Sequence, residues 1–256
     1  NVMEWETVRR LEAGARRALA VLVASGPLTL ERDLAAAGAT LEPLQQLQMR
    51  GLAVRRVGGW ALPRPSLRER LARSVDVRGA HEVLARERLQ AIAREDAAGR
   101  ARLAPAAVRH LALASRTAEA MALVRAHRDV IDAAPGPWRV ALESLGEGLD
   151  LAGRFDLAQA TLAAGDVTRA RVLATSLVDE ATSADDRLRA LSIAAHASLE
   201  ADDAQGALAI LERASSVSMN EETRAVCADL EARARLRLGD HAAARAHDQA
   251  RRLAGR

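Results

Sequence analysis

The chain has 256 residues, and its 37 basic residues, all of them arginine, face 34 acidic residues for a formal net charge of +3. It is 49% hydrophobic but only 2% aromatic, which favours close-packed helices over an aromatic-rich β-sandwich. The lack of lysine excludes a Schiff-base lysine and a phosphate-binding P-loop, and a single cysteine, Cys227, excludes an internal disulfide or a zinc site made of thiolates. No apolar run approaches the ~20 residues that cross a bilayer, and no signal peptide opens the chain. We therefore expect a soluble, cytoplasmic, helical protein of one or two domains.

The first 51 residues predict a series of short helices. An apolar pattern around Leu19 predicts a helix that ends at the breaker sequence of residues 25–27. Residues 30–37 predict a short helix, and a second one follows from its cap at Thr40 to Gly51. Two helices joined by a short glycine-containing turn are typical of a helix-turn-helix.

Two strands with alternating apolar residues, joined around a glycine pair, predict a β-hairpin. A three-residue loop over residues 57–59 pairs Val54 with Leu62 and Arg56 with Trp60. This register places all the apolar residues on one face, whereas a two-residue turn made of the two glycines separates them. We therefore expect the three-residue loop, with Arg56 lying across the Trp60 ring.

Helix, helix-turn-helix and hairpin in this order predict a winged helix, which we assign to residues 1–80. Winged helices place the second helix of the turn unit in the major groove and contact phosphates with the hairpin. The residues suited to reading bases are Gln45, Gln46, Gln48 and Arg50, and those suited to phosphates are Arg55, Arg56 and Arg64. The arginine excess in residues 50–78 is either a nucleic-acid footprint or a solvated surface, and we favour the solvated surface. Because the exposed side of the second helix offers Glu42 and a single arginine, DNA binding is our second hypothesis.

Beyond residue 80 the strand signals end and a 37-residue repeat begins. Gly165, Asp202 and Gly239 are equally spaced, since 202 − 165 = 37 and 239 − 202 = 37, and each precedes an aspartate. Alanines keep the same register, at Ala158, Ala195 and Ala232 seven positions before and at Ala170, Ala207 and Ala244 five positions after. This pattern predicts stacked helical hairpins at about 150–181, 187–216 and 223–254, within a repeat domain of residues 81–256.

The small residues and turns of residues 150–254 resemble tetratricopeptide repeats. The period of 37 rather than 34, the scarcity of aromatics, and Arg251 at a small-residue position depart from the family pattern. A degenerate fourth copy is predicted at residues 104–133, where the sequence from Ser115 to Ala120 resembles the turn and the start of a second helix. The fold predicted overall is mainly α, an N-terminal winged helix followed by a superhelical solenoid.

The order of winged helix and repeats resembles the middle and sensor regions of STAND-type signalling ATPases, including bacterial regulators of the maltose-activator kind. The resemblance implies a regulatory module of signal transduction or transcription regulation, with any NTPase domain outside this chain. The partner would be another protein, the NTPase domain itself or a small-molecule inducer. A self-associating adaptor is a third hypothesis, although the polar residues Arg245, Asp248, Arg251 and Arg252 favour a monomer by capping the solenoid.

The spacing of the six histidines matches no metal motif, and no nucleophile stands in a recognisable motif, so we expect no enzyme activity, no metal and no cofactor. In stacked hairpins the first helix of each pair lines the concave wall. The residues expected to be exposed there and to bind a ligand or partner are Phe155, Gln159, Arg189, His196, Asp229 and Arg233. Arginine and histidine beside a phenylalanine suit a carboxylate or a phosphate. We expect alanine at Arg189, His196 or Arg233 to weaken binding while hardly changing the melting temperature.

Overall fold

The computed structural model describes the backbone of residues 2–217 and 221–242, and side chains for residues 6–217 and 224–242. In these residues the protein is mainly helical, with fourteen α-helices and one small two-stranded antiparallel sheet. The mainly helical class that the composition predicts is therefore confirmed. The chain forms two compact units, unit 1 of Asn1–Val130 with Ser144–Gly146, and unit 2 of Ile131–Glu143 with Glu147–Arg256.

Unit 1 begins with four helices, continues with the sheet, and ends with four more helices. Its elements are α1 (Val2–Arg9), α2 (Ala13–Ser25), α3 (Glu31–Ala36), α4 (Leu41–Met49), β1 (Val54–Arg56), β2 (Gly59–Ala61), α5 (Leu67–Ala72), α6 (Val77–Ile92), α7 (Ala97–Leu113), α8 (Thr117–Ala126) and a 3₁₀ turn (Arg128–Val130). The helix ends near Ser25 and Gly51 fall where the sequence predicts them. One apolar core joins α2, α3, α4, β2, α5 and α6, through residues such as Leu22, Leu34, Leu47 and Trp60. The predicted domain boundary at residue 80 does not coincide with the division between the units, and it stays a prediction.

The hairpin register differs from the predicted one. Val54 pairs with Ala61, Arg55 with Trp60 and Arg56 with Gly59, so the loop holds the two residues at positions 57 and 58. Arg55, not Arg56, therefore lies opposite Trp60. All three residues of β2 are buried, and Trp60 also forms a β-bridge with Thr29 on its other edge. With both faces of β2 buried, the apolar alternation does not decide the register.

Unit 2 is built from helices that follow one another through short turns. They are α9 (Pro135–Glu143), α10 (Leu151–Ala163), α11 (Val167–Glu180), α12 (Ala184–Glu200), α13 (Ala204–Ser215) and α14 (Glu221–Arg237), with a 3₁₀ turn at Gly146–Gly148 before α10. Each helix from α10 to α14 packs on the next, and α12 also contacts both α10 and α14. Aspartate and serine side chains cap the helix starts, at Asp150, Asp166, Ser183 and Asp203.

The predicted repeat turns share one backbone conformation. Gly165, Asp202 and Gly239 have φ angles of 86°, 61° and 85°, in the left-handed region that glycine adopts without strain. Ser115, in the predicted degenerate copy, has a φ of 62° and also precedes a helix start. The structure therefore has a left-handed residue at each of these four positions, and the repeat itself stays a prediction.

The alanines of the repeat are buried between helices in four of the five described cases. Ala158, Ala170, Ala195 and Ala207 have 0% exposure, whereas Ala232 is half-buried. The predicted residues Ala244, Arg245, Asp248, Arg251 and Arg252, and the end of the third hairpin, lie outside the described residues.

Candidate partner-binding face of the repeat helices

The residues predicted to line the concave wall lie on α10, α12 and α14, and α12 contacts both of the other two helices. The structure corrects one of them, Phe155, which is buried with 1% exposure in the core of unit 2 and not on a surface. Its large apolar ring fills the space between the helices, so it is a packing residue. We use the name repeat face for the remaining predicted residues, Gln159, Arg189, His196, Asp229 and Arg233, together with Glu200.

Arg189 of α12 makes two contacts with α10. Its guanidinium lies over the Phe155 ring, with Cζ 4.7 Å from the ring centroid, and its Nη2 donates to Asp156 Oδ1 at 3.2 Å. The Asp156 side chain is 3% exposed and that of Arg189 is 44% exposed. The cation is thus held by a buried carboxylate and an aromatic face while one side of it stays open to solvent.

The second group of the repeat face joins α12 to α14. Arg233 Nη2 donates to Glu200 Oε1 at 2.9 Å, and His196 Nε2 lies 3.5 Å from the same oxygen. Burial lowers the pKa of His196 below its usual range, and the nearby Arg233 guanidinium adds to this effect while Glu200 opposes it. His196 is therefore neutral at pH 7, and the group carries one positive and one negative charge.

The last two residues of the face are less open. Gln159 and Asp229 are both half-buried, and Asp229 already has an interaction partner. The face therefore presents arginine beside carboxylate on α12 and α14, and the uncharged Gln159 on α10. Such a surface can exchange its internal ion pairs for charges and backbone amides of a bound segment.

Asp156 is the residue that the sequence reasoning missed. The signal was present, since Asp156 is an acidic residue inside an apolar stretch of α10, and a buried carboxylate requires a partner. The burial of Asp156 changes the stability that we expect for Arg189→Ala. Removing the guanidinium takes an ion-pair partner away from a buried carboxylate. We therefore expect this substitution to lower the melting temperature.

The residues predicted to contact DNA are mostly exposed on α4 and the hairpin. Gln45, Gln48, Arg50, Arg55, Arg56 and Arg64 are exposed, and Gln46 is half-buried. Arg55 already pairs with Glu31 at 3.6 Å. Leu41 and Met49, at the two ends of α4, are 58% and 82% exposed, so the open side of this helix is partly apolar.

Two buried polar pairs in unit 1 were also missed, because their partners are far apart in sequence. Arg88 of α6 binds Asp33 of α3. His81 of α6 and His110 of α7 face each other with their Nδ1 atoms 2.9 Å apart. Burial is the main cause that lowers the pKa of His81 to about 4 and that of His110 to about 3, and Arg109 adds to both shifts.

The remaining chemical features are few within the described chain. No group of three or more histidine, cysteine, aspartate or glutamate residues is placed there to hold a metal ion. Cys227 of α14 is a free, buried thiol, and burial together with Glu231 raises its pKa. Among the described helices none combines the length and apolar character that crossing a membrane requires.

Comparison with known proteins gives no relative. The chain matches no family model, and neither the curated proteins nor the solved structures contain a significant match to it.

Proposed function

We propose that the chain is a non-catalytic regulatory module that binds an extended segment of a partner protein on the repeat face. The observation that carries the proposal is the pair of ion-pair groups, Arg189 with Asp156 and Arg233 with Glu200, that bridge neighbouring helices and keep their arginines about 40% exposed. A continuous face of side-by-side helices offers an extended segment more contact area than it offers a compact ligand.

The charge pattern indicates the kind of segment. The two arginines alternate with carboxylates and His196 is neutral, so the face has no large excess of either sign. A bound segment would therefore carry both acidic and basic side chains, with its acidic residues placed at Arg189 and Arg233. Electrostatic complementarity of this kind sets register and specificity more than raw affinity.

The repeat pattern of the sequence and the left-handed turns favour tetratricopeptide-like hairpins, and the element order of unit 1 favours a winged helix. Together with the resemblance to STAND-type regulators, these features support a role in signal transduction or transcription regulation. The partner would then be another protein or an NTPase domain.

The test is a selection from a random peptide library with the full chain, followed by affinity measurements by fluorescence polarisation. The test variant combines Arg233→Gln with Glu200→Gln, which removes one ion pair of the face without leaving an unpaired charge. The control combines Arg154→Gln with Glu180→Gln, an ion pair of nearly equal exposure that joins α10 to α11 instead.

We expect selected peptides to bind the test variant about tenfold more weakly, a loss typical of one or two charged contacts, and to bind the control normally. Both variants should keep the melting temperature of the unchanged protein, since exposed ion pairs contribute little to stability. Equal binding to both variants would show that the repeat face is not the site.

DNA binding through α4 and the hairpin is the second candidate. It is favoured by the exposure of Arg50, Arg56 and Arg64, none of which is ion-paired within the described part of the chain. It is disfavoured by the exposed apolar residues of α4 and by the existing pair of Arg55 with Glu31. A gel shift with duplex DNA distinguishes the two candidates, because binding through several arginines weakens steeply between low and physiological salt.

A further inference from the structure

Unit 1 contains a half-open cavity of about 700 Å³. Its walls come from α2, the end of α3, the segment between α5 and α6, and the first turns of α6. This volume lies within the range of about 300–1,000 Å³ that small-molecule sites occupy. We call it the α2–α6 cavity.

The floor of the α2–α6 cavity is apolar. The buried residues Ala20 and Val21 of α2 and Ala80 of α6 form it, and the half-buried Val83 of α6 lies on the wall. These are short aliphatic side chains, so the floor offers the ligand apolar contact without a hydrogen-bonding group. The apolar part of a ligand would gain most by facing this floor.

The rim of the cavity is cationic. Arg16 and Arg17 of α2 and Arg73, just before α6, line it, and none of the three forms an ion pair within the described residues. The one acidic residue of the lining, Asp76, already accepts a hydrogen bond from the Gly79 amide at 2.8 Å as the cap of α6. The lining thus carries three cationic side chains and one carboxylate.

Several arginines of unit 1 outside the cavity are already bound, although others, such as Arg50, Arg56 and Arg64, are not. Arg55, Arg78 and Arg88 each have a carboxylate within 4.0 Å, and Arg68 donates to the Gly26 carbonyl. What distinguishes the cavity is that three unpaired guanidiniums surround one concave apolar surface, so positive charge is concentrated there. Arginine is suited to binding carboxylate and phosphate because its planar fork donates two parallel hydrogen bonds.

We propose that the α2–α6 cavity binds a small organic anion, a carboxylate or phosphate that carries an apolar group. The anionic end lies among Arg16, Arg17 and Arg73, and the apolar end covers Ala20, Val21 and Ala80. The proposal concerns unit 1 alone and does not depend on partner binding at the repeat face.

The test uses 8-anilinonaphthalene-1-sulfonate, whose sulfonate and aromatic rings represent the two ends of such a ligand, titrated into the full chain at pH 7. We expect saturable fluorescence with one site per chain. Octanoate should displace the probe, whereas octan-1-ol at the same concentration should not, because it lacks the charge.

The test variant replaces Arg16, Arg17 and Arg73 with glutamine. The matched control replaces Arg86, Arg94 and Arg102 with glutamine, three exposed arginines of unit 1 outside the cavity lining, so both variants lose the same charge. We expect the test variant to bind the probe at least about tenfold more weakly and the control to bind it normally. A further variant, Ala13→Trp, fills the exposed rim and should abolish binding.

Circular dichroism and the melting temperature establish that each variant is folded before titration. Equal loss in both triple variants would overturn the proposal, because binding would then follow net charge. Probe binding that never saturates, that Ala13→Trp leaves unchanged, or that octan-1-ol displaces as well as octanoate would overturn it too.

Discussion

Arg88 and Asp33, 55 residues apart in the chain, form a two-point ion pair inside unit 1. Nη1 lies 2.6 Å from Oδ1 and Nη2 lies 2.9 Å from Oδ2, and the two side chains are 11% and 2% exposed. Burial by itself lowers the pKa of Arg88, but the hydrogen bond and charge of Asp33, together with the adjacent Glu87, raise it overall. The pair ties the short helix α3 to α6.

Arg88→Met should therefore destabilise the protein strongly. Removing Arg88 leaves the buried Asp33 carboxylate with only Arg32, which is 54% exposed and 4.0 Å away. Loss of one member of a buried pair costs about 3–5 kcal/mol in the free energy of unfolding. The double variant Arg88→Met with Asp33→Leu should be more stable than the single one, because it removes the buried carboxylate as well. Urea denaturation measures both.

The control for this prediction is Arg55→Met, which breaks the exposed pair with Glu31 in the same unit. It should cost less than about 1 kcal/mol, as exposed pairs do. An equal cost for Arg88→Met and Arg55→Met would contradict the prediction.

Gly59→Ala should weaken the junction between the hairpin and the segment before α3. A Cβ at this position would lie 2.2 Å from the Thr29 carbonyl oxygen, which accepts a hydrogen bond from the Trp60 amide. Because the obstacle is backbone, relief requires breaking the bridge between Thr29 and Trp60, and we expect a loss of about 2 kcal/mol or more.

Gly58→Asn serves as the comparison for this prediction. Gly58 has a φ of 85° but nothing within 4 Å of an added Cβ, and asparagine tolerates the left-handed region. Thermal and urea unfolding should rank Gly59→Ala as clearly the less stable. The reverse order would show that Thr29 does not bridge to Trp60 in solution.

The histidine pair should make the protein sensitive to acid. The pKa of His81 is about 4 and that of His110 about 3, both below the value near 6.5 of an unfolded histidine. Between these values the unfolded chain binds more protons, so stability falls as the pH drops from about 6.5 towards 4. The loss is up to about 1.4 kcal/mol per pH unit for each histidine.

The hydrogen bond between the two histidines also predicts that acid lowers the stability of the fold. At 2.9 Å one Nδ1 donates and the other accepts, so a second proton would place two N–H groups against each other near Arg88 and Arg109. The double variant His81→Gln with His110→Gln cannot titrate there. Its stability between pH 7 and pH 4 should decline less than that of the unchanged protein, and parallel curves would disprove the assignment.

Asp202→Gly should stabilise unit 2. Asp202 adopts a left-handed φ of 61° where the equivalent repeat positions carry glycine, and its contact with Arg237 is exposed and 3.8 Å long. Relief of this strain should contribute about 0.5–1 kcal/mol.

Substitution of the next residue, Asp203, should lower the stability of unit 2. Asp203 accepts a hydrogen bond from the Gly206 amide at 2.8 Å and caps α13, so Asp203→Gly should lose a few tenths of a kcal/mol to about 1 kcal/mol. Calorimetry of both variants is a direct check, and a fall in melting temperature for Asp202→Gly would refute the strain.

Most helix positions in the chain could be predicted from the sequence because their signals are local. Gly38 and Gly51 follow the ends of α3 and α4 with left-handed φ angles, and the 37-residue spacing located the turns at Gly165 and Asp202. Helix ends depend on the conformational preferences of a few neighbouring residues, and these preferences act whatever the tertiary structure is.

The side-chain pairs could not be predicted in this way. The partners of Asp33 and His81 come from other helices, and sequence spacing holds no information on which faces meet. The expectation for Phe155 was wrong for a related reason, since the sequence does not show that neighbouring helices bury this position. Gln159 and Arg189 were expected on this wall, but the pairing of Arg189 with Asp156 could be found only when the contact between α10 and α12 was known.

The reaction rate of the buried Cys227 thiol can measure how often α14 opens. A thiol reagent reacts with the thiolate, and both the 7% exposure and the raised pKa slow that reaction in the closed helix. We therefore expect labelling to proceed mainly through rare openings in which α14 separates from α12 and α13. Since the chain has one cysteine, the labelling rate follows this single local equilibrium, and a segment bound across Arg233 would slow it without any engineered probe.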